Sequence, residues 1–209
     1  MSKTVIFDVG CVLLDWDIYR LYRQLLPTDQ AIAEFMDEVD LLHHNLEFDR
    51  GTPFREGIAA LVARFPHRKE LLEAFDTRWE ETVSGTIEGS IQILDELKSA
   101  QVPLYAITNF AREKWQLATS RFDFLNTSFI DVVVSAHEGL VKPEPEIYHR
   151  LLLRNQLAAE NCIFIDDSEK NARGAADVGI DAILFTNPVQ LRRDLLSRGL
   201  PLKSNGTSE

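Results

Sequence analysis

Cysteine is nearly absent: Cys11 and Cys162 are the two in 209 residues. That is too few for a disulfide framework, and both adjoin apolar runs, as buried free thiols do. No apolar run is long enough to cross a bilayer, and no signal-peptide pattern opens the chain. A cytoplasmic protein without a membrane partner is therefore expected. Basic residues are in deficit. Lys and Arg number 22 against 33 Asp and Glu, giving a net charge of −11 and a pI near 4.9. A nucleic-acid partner calls for a basic face, so none is expected. An anionic small molecule is still allowed, because one lysine and one bound cation reverse the sign locally. Internal repeats and low-complexity segments are also lacking. Asn205-Gly206-Thr207 matches a glycosylation sequon, which without secretion is a chance match.

What is present is a chain 45% hydrophobic and 26% charged, enough apolar matter for a real core. From about Ile87 onward, apolar runs of strand length alternate with helical patterns. Helices are expected near Gly89 to Ala100, Ala111 to Phe122, from Pro145, and Glu169 to Val178. Strands are expected up to Ile107, from Asp131 to Ser135, at Ile163, and from Ala182 to Phe185. Asn187-Pro188 suits an N-cap with proline at the first helical position, and Gly199 with Pro201 ends that last helix. Such alternation implies a parallel sheet with right-handed crossovers. Between Trp16 and Thr86 the pattern differs. Apolar residues recur at helical spacing, as in Ile32, Phe35 and Met36 or Ile58, Leu61 and Val62. Pro27, Pro53 and Pro66 divide this stretch, which reads as helices without strands.

Two apolar runs stop on carboxylates. Val5-Ile6-Phe7 is followed by Asp8-Val9-Gly10, and Ile163-Phe164-Ile165 by Asp166-Asp167-Ser168. In a parallel α/β sheet the carboxyl ends of the strands line one crevice, where ligands bind. Neighbouring strands of this kind bring Asp8 and Asp167 together. Like charges that close call for a cation between them or for one proton retained, and an oxygen-ligand ion such as Mg²⁺ answers that need. Two further elements lie between them. Leu104 to Ile107 ends on Thr108 and Asn109, and Val141-Lys142-Pro143 places a lysine ahead of a helix.

Carboxylate, hydroxyl with amide, lysine, paired carboxylates: in that order the chain resembles the haloacid dehalogenase (HAD) superfamily, from Lys3 to about Phe185. Gly139 to Tyr148 is similar to subfamily I members. The resemblance implies a Rossmann-like α/β core, residues 1–15 and 87–201, with an inserted helical cap of the C1 type at 16–86. Residues 202–209 read as a flexible polar tail. It also implies a Mg²⁺-dependent phosphatase of small phosphorylated metabolites, sugar phosphates among them. Asp8 would be the nucleophile forming an aspartyl-phosphate, and Lys142 would supply fixed positive charge. Thr108, Asn109 and Lys142 would hold the phosphate. Asp8, the Gly10 carbonyl, Asp167 and Asp166 would hold the metal, with Asn171 one helical turn beyond facing the same site. Arg112, His137 and Arg173 read as surface residues.

The sequence departs from the family pattern at Gly10, where most members carry a second aspartate serving as general acid and base. Such catalysis is typically worth about 10²–10⁴-fold. The Asp-x-Gly form resembles bacterial glucose-1-phosphate phosphatase-like members. Asp15, Asp17 or a cap residue could substitute. The cap clusters His43-His44-Asn45 and Phe48-Asp49-Arg50-Gly51 are expected to face the site. Two other functions fit the residue types. A 2-haloacid dehalogenase uses the same aspartate without metal and also lacks the second one, but its Asp-x-Tyr-Gly opening is missing here. A catalytically weak domain could bind a phosphorylated ligand and act through a partner.

Overall fold

Val5 and Phe7 point to one side of a strand and Ile6 to the other, and this alternation decides which layer each one joins. In a computed structural model describing residues 3–203, they lie in β1 (Thr4–Phe7). The chain continues through β2 (Leu14–Trp16) into a helical block: α1 (Ile18–Tyr22), α2 (Asp29–Val39), α3 (Leu41–Arg50), α4 (Phe54–Arg64) and α5 (Lys69–Thr77). It returns through β3 (Val83–Thr86). Then follow α6 (Glu88–Ser99), β4 (Leu104–Thr108), α7 (Arg112–Arg121), α8 (Phe124–Thr127), β5 (Asp131–Val134), α9 (Ser135–Glu138) and α10 (Pro145–Arg154). The last elements are β6 (Cys162–Asp166), α11 (Glu169–Asp177), β7 (Asp181–Leu184) and α12 (Pro188–Ser197).

The main sheet is parallel with order β5-β4-β1-β6-β7. Val5 and Phe7 pack with Ile93, Leu94 and Leu97 of α6 and with Leu191 and Leu195 of α12. Ile6 packs on the other face with Ile147, Tyr148 and Leu151 of α10 and Ala175 of α11. Helices on both faces leave β1 buried on each side, which is why it reads as an unbroken apolar run. A third apolar cluster joins the helical block to the top of the sheet, with Phe35, Phe48, Phe54 and Phe75 among its members.

Most predicted elements lie within a residue or two of their expected bounds. Asn187 caps α12, its side chain accepting from the Gln190 amide, and Gly199 beyond that helix has φ +80°. The strandless reading of residues 16–86 needs correction. β2 and β3 form an antiparallel two-stranded ribbon where the block leaves and re-enters the sheet domain. Val83-Ser84-Gly85-Thr86 has no apolar alternation to reveal a strand, and only pairing with β2 makes it one. The tail also begins later than expected. Leu202 is buried, and Lys203 is tied through its backbone to Glu96 and Arg192. The remainder of the expected tail, with Asn205 and its sequon, lies outside the described residues.

Candidate active site

β1 sits at the centre of the sheet, with β4 on one side and β6 on the other. Register sets Phe7 opposite Ile165 and Ala106, so Asp8 emerges between the ends of both neighbours. The Asp8 amide extends the ladder by donating to the Ile165 carbonyl at 2.8 Å. The chain then turns sharply. Leu13 and Leu14 amides donate back to the Val9 carbonyl, and Cys11 takes a left-handed conformation at φ 57°. Gly10 does not need a positive φ, and a Cβ built there meets nothing within 4 Å.

Asp8, Asp166 and Asp167 converge, each offering an oxygen within 4.8 Å of the others. Lys142 lies between two of them. Its ammonium is 2.7 Å from Asp8 Oδ1 and 2.7 Å from Asp166 Oδ2, and it is 2% exposed. Asp8 Oδ1 also accepts from the Val9 amide at 2.7 Å, which leaves Oδ2 as the uncommitted oxygen. Asp166 is 0% exposed and saturated. Besides Lys142 it accepts from Asn171 Nδ2 at 3.0 and 3.1 Å and from the Ser168 amide at 2.8 Å. Asn171 therefore orients Asp166 from one helical turn further on. Asp167 is exposed and lines the cavity above Asp8. Three carboxylates thus face one ammonium, an imbalance that a hard divalent cation would relieve; the donor set, all oxygen, fits Mg²⁺.

The electrostatics reflect that imbalance. Burial pushes Asp8 up to about 8, against the opposing pull of Lys142. Burial and then Asp166 raise Asp167. Burial works against the Lys142 ammonium, but Asp166 and Asp8 outweigh it and raise its pKa. Cys11 was expected to be a buried thiol. It is half-buried at the cavity edge, and burial with the nearby carboxylates pushes it up to about 12, which makes it a poor nucleophile. Cys162 is buried as expected.

Lys142 owes its position to its backbone. Asn109 brackets the Lys142 peptide, with Oδ1 accepting from its amide at 2.8 Å and Nδ2 donating to its carbonyl at 3.1 Å. The Lys142–Pro143 peptide is cis. Gly174 of α11 packs against this turn so closely that an added Cβ would lie 2.7 Å from the Pro143 carbonyl. Thr108, at the end of β4, is 1% exposed, and its hydroxyl has no hydrogen-bond partner. A polar atom that deep normally has one.

A cavity of about 210 Å³ opens above the carboxylates, walled on one side by residues of the helical block. Of the two clusters expected to face it, Asn45 and Asp49 of α3 do so. His43 is exposed, Phe48 is buried in the core, and Arg50 makes a bidentate pair with Glu144 at 2.7 and 3.0 Å. The Asp49 carboxyl accepts from Asn45 Nδ2 at 3.1 Å, and its backbone carbonyl accepts from Ser135 Oγ at 2.5 Å. Burial pushes Asp49 up to about 8, opposed by a hydrogen bond from the Ala111 amide and by Lys142. Asp15 and Asp17 are not at the cavity. Asp15 pairs with Arg20, and Asp17 caps α1. Nor are Arg112, His137 and Arg173. Phe54, Trp79, Phe110 and Lys114 do line it, and nothing in the sequence singled them out. Lys114, for example, is buried against Asp76 at 2.6 Å, a partner 38 residues away.

The model of the haloacid dehalogenase-like hydrolase family matches residues 5–185. The chain belongs to that family. A sesquiterpene phosphatase of Aspergillus oryzae is 32% identical over 195 residues, covering 88% of this chain and 90% of that protein. A drimenol cyclase of Aspergillus calidoustus is 24% identical over 200 residues, but the chain spans only 36% of its length. Among solved structures of the family, an enzyme from Bacteroides thetaiotaomicron in complex with magnesium and inorganic phosphate superposes with a TM-score of 0.68. It is 19% identical and covers 90% of this chain and 96% of its own. That likeness is one of fold.

Proposed function

We propose that this HAD hydrolase is a Mg²⁺-dependent phosphatase acting on small phosphorylated metabolites through an aspartyl-phosphate on Asp8. The observation that carries the reading is the convergence of Asp8, Asp166 and Asp167 on a single buried lysine. Asp8, Asp167 and the Gly10 carbonyl would hold the metal, with Asp166 held behind them by Lys142 and Asn171. The bound ion supplies charge neutralisation at the phosphoryl group.

The chain's own residues account for the rest. Asp8 Oδ2 attacks phosphorus while Oδ1 stays fixed by Lys142 and the Val9 amide. The phosphate oxygens meet the Lys142 ammonium and the unpartnered Thr108 hydroxyl, whose lack of a partner is then explained. Asn109 acts mainly by holding Lys142 in place. As the P–O bond to the alcohol breaks, the leaving oxygen takes a proton from Asp49, the cavity carboxyl whose proton affinity burial raises and which stands in for the acid absent at Gly10. Water then attacks the acyl phosphate, its proton passes to Asp49, and inorganic phosphate leaves with Asp8 regenerated. A metal-free dehalogenase would leave Asp167 beside Asp8 without a cation of its own, which favours the phosphatase reading.

A phosphomonoester panel assayed with Mg²⁺ and again in EDTA tests this. Turnover should require the metal. Equal rates in EDTA, or no turnover on any ester, would overturn it.

A further inference from the structure

Trp16, Phe54, Trp79 and Phe110, with Leu14 and Val83, form most of the cavity wall above the carboxylates. Three of the four rings are packed against other aromatic rings. Phe54 lies 4.5 Å from Phe48 and 5.2 Å from Phe75, centroid to centroid. Phe110 stands edge-on to Trp79 at 5.5 Å and to Trp115 at 5.4 Å. A wall built this way is rigid before any ligand arrives, so little ordering is needed on binding.

The polar groups of the same wall are already engaged within the protein. Asn45 donates to Asp49. Both ends of the Asn109 amide are taken by the Lys142 peptide. The Lys114 ammonium donates to the Asp76 carboxylate at 2.6 Å and carbonyl at 2.8 Å, and it lies over the Phe54 ring. A sugar or other polyol entering here would bury several hydroxyls and find few free partners. Unpaired buried hydroxyls are penalised, and a site built for them offers matched donors and acceptors.

We infer that the leaving group this cavity takes is apolar: an aromatic or branched hydrocarbon alcohol, carried as its phosphate monoester. The inference rests on the phosphatase reading, which places the phosphate on the Asp8–Lys142 floor and its alcohol against the rings. It narrows the small phosphorylated metabolite expected from the sequence, sugar phosphates among the options, to a hydrocarbon ester. The single polar demand of such an ester, at its bridging oxygen, falls to Asp49.

The test uses the native protein with Mg²⁺ and a series of non-hydrolysable n-alkylphosphonates from methyl to hexyl, read by calorimetry. Affinity should tighten by about fourfold per methylene over the first carbons, as burial of hydrocarbon predicts. Dihydroxypropylphosphonate should bind no better than methylphosphonate. Flat affinity along the series, with inorganic phosphate and methylphosphonate still binding, would overturn the apolar site and leave the phosphatase reading intact. Tighter binding of the dihydroxy compound than of propylphosphonate would do the same. Failure of phosphate and every phosphonate to bind would overturn both.

Discussion

The Lys142 ammonium lies 2.7 Å from Asp8 Oδ1 and is almost completely shielded from solvent. It also bridges to Asp166, so one cation holds two carboxylates. Lys142→Met would strand both. Breaking a buried pair by removing one partner costs about 3–5 kcal/mol. We expect that loss in chemical denaturation without Mg²⁺, partly recovered when Mg²⁺ is added. Turnover should fall by about 10²–10³-fold, the range for loss of one charge-stabilising group. Unchanged denaturation midpoints would show that the bridge contributes nothing.

Asp8→Asn keeps the shape of the proposed nucleophile and removes its charge. Turnover should drop by about 10⁴-fold or more, the scale of a lost nucleophile, with the fold retained by circular dichroism. Asp167→Asn should instead raise the Mg²⁺ concentration giving half-maximal rate. Near-normal steady-state rates for Asp8→Asn would remove it as the nucleophile.

Asp49 should reveal itself through leaving-group chemistry. Asp49→Asn should slow alkyl phosphates by about 10²–10⁴-fold, the usual worth of general acid catalysis. Nitrophenyl phosphate needs little protonation and should be much less affected. An equal loss on both substrates would mean that Asp49 only docks α3 onto the sheet domain.

The same residue makes a pH prediction with a definite sign. Burial pushes the Asp49 carboxyl up to about 8 in the folded protein, against 3.8 ordinarily. Between those values the folded state holds a proton that the unfolded state has released. Stability of the metal-free protein should therefore carry a contribution from Asp49 that falls as pH rises from about 4 to 8, by at most about 1.4 kcal/mol per pH unit. Asp49→Asn should flatten the slope of melting temperature against pH. An unchanged slope would show that Asp49 is ionised in the folded state at neutral pH.

Gly10 has room for a side chain at Cβ and an ordinary φ. Gly10→Asp should fold with a melting temperature within a few degrees of the native protein. In an Asp49→Asn background it should restore part of the alkyl-phosphate rate. No rescue by the folded double variant would place the proton donor's required position elsewhere.

The sequence by itself determined the α/β class and the strand ends that carry the converging carboxylates. Buried parallel strands must be continuously apolar, so Val5 to Phe7 and Ile163 to Ile165 announce themselves, and the carboxylates that end them stand out. Of the two polar cap clusters it named, only Asn45 and Asp49 reach the cavity, because a helix turns its other residues toward solvent or the core. Tertiary structure decided what local pattern does not encode. The β2–β3 ribbon exists only because two distant short segments pair. Asp166 and Asp167 are adjacent in sequence, yet one is sealed beneath Lys142 and Asn171 while the other faces the cavity, because successive residues leave a strand end in different directions. The ring wall of Trp16, Phe54, Trp79 and Phe110 is gathered from four separate segments. Aromatic residues scattered along a chain read as core, and only their meeting above Asp8 makes them the wall of a cavity.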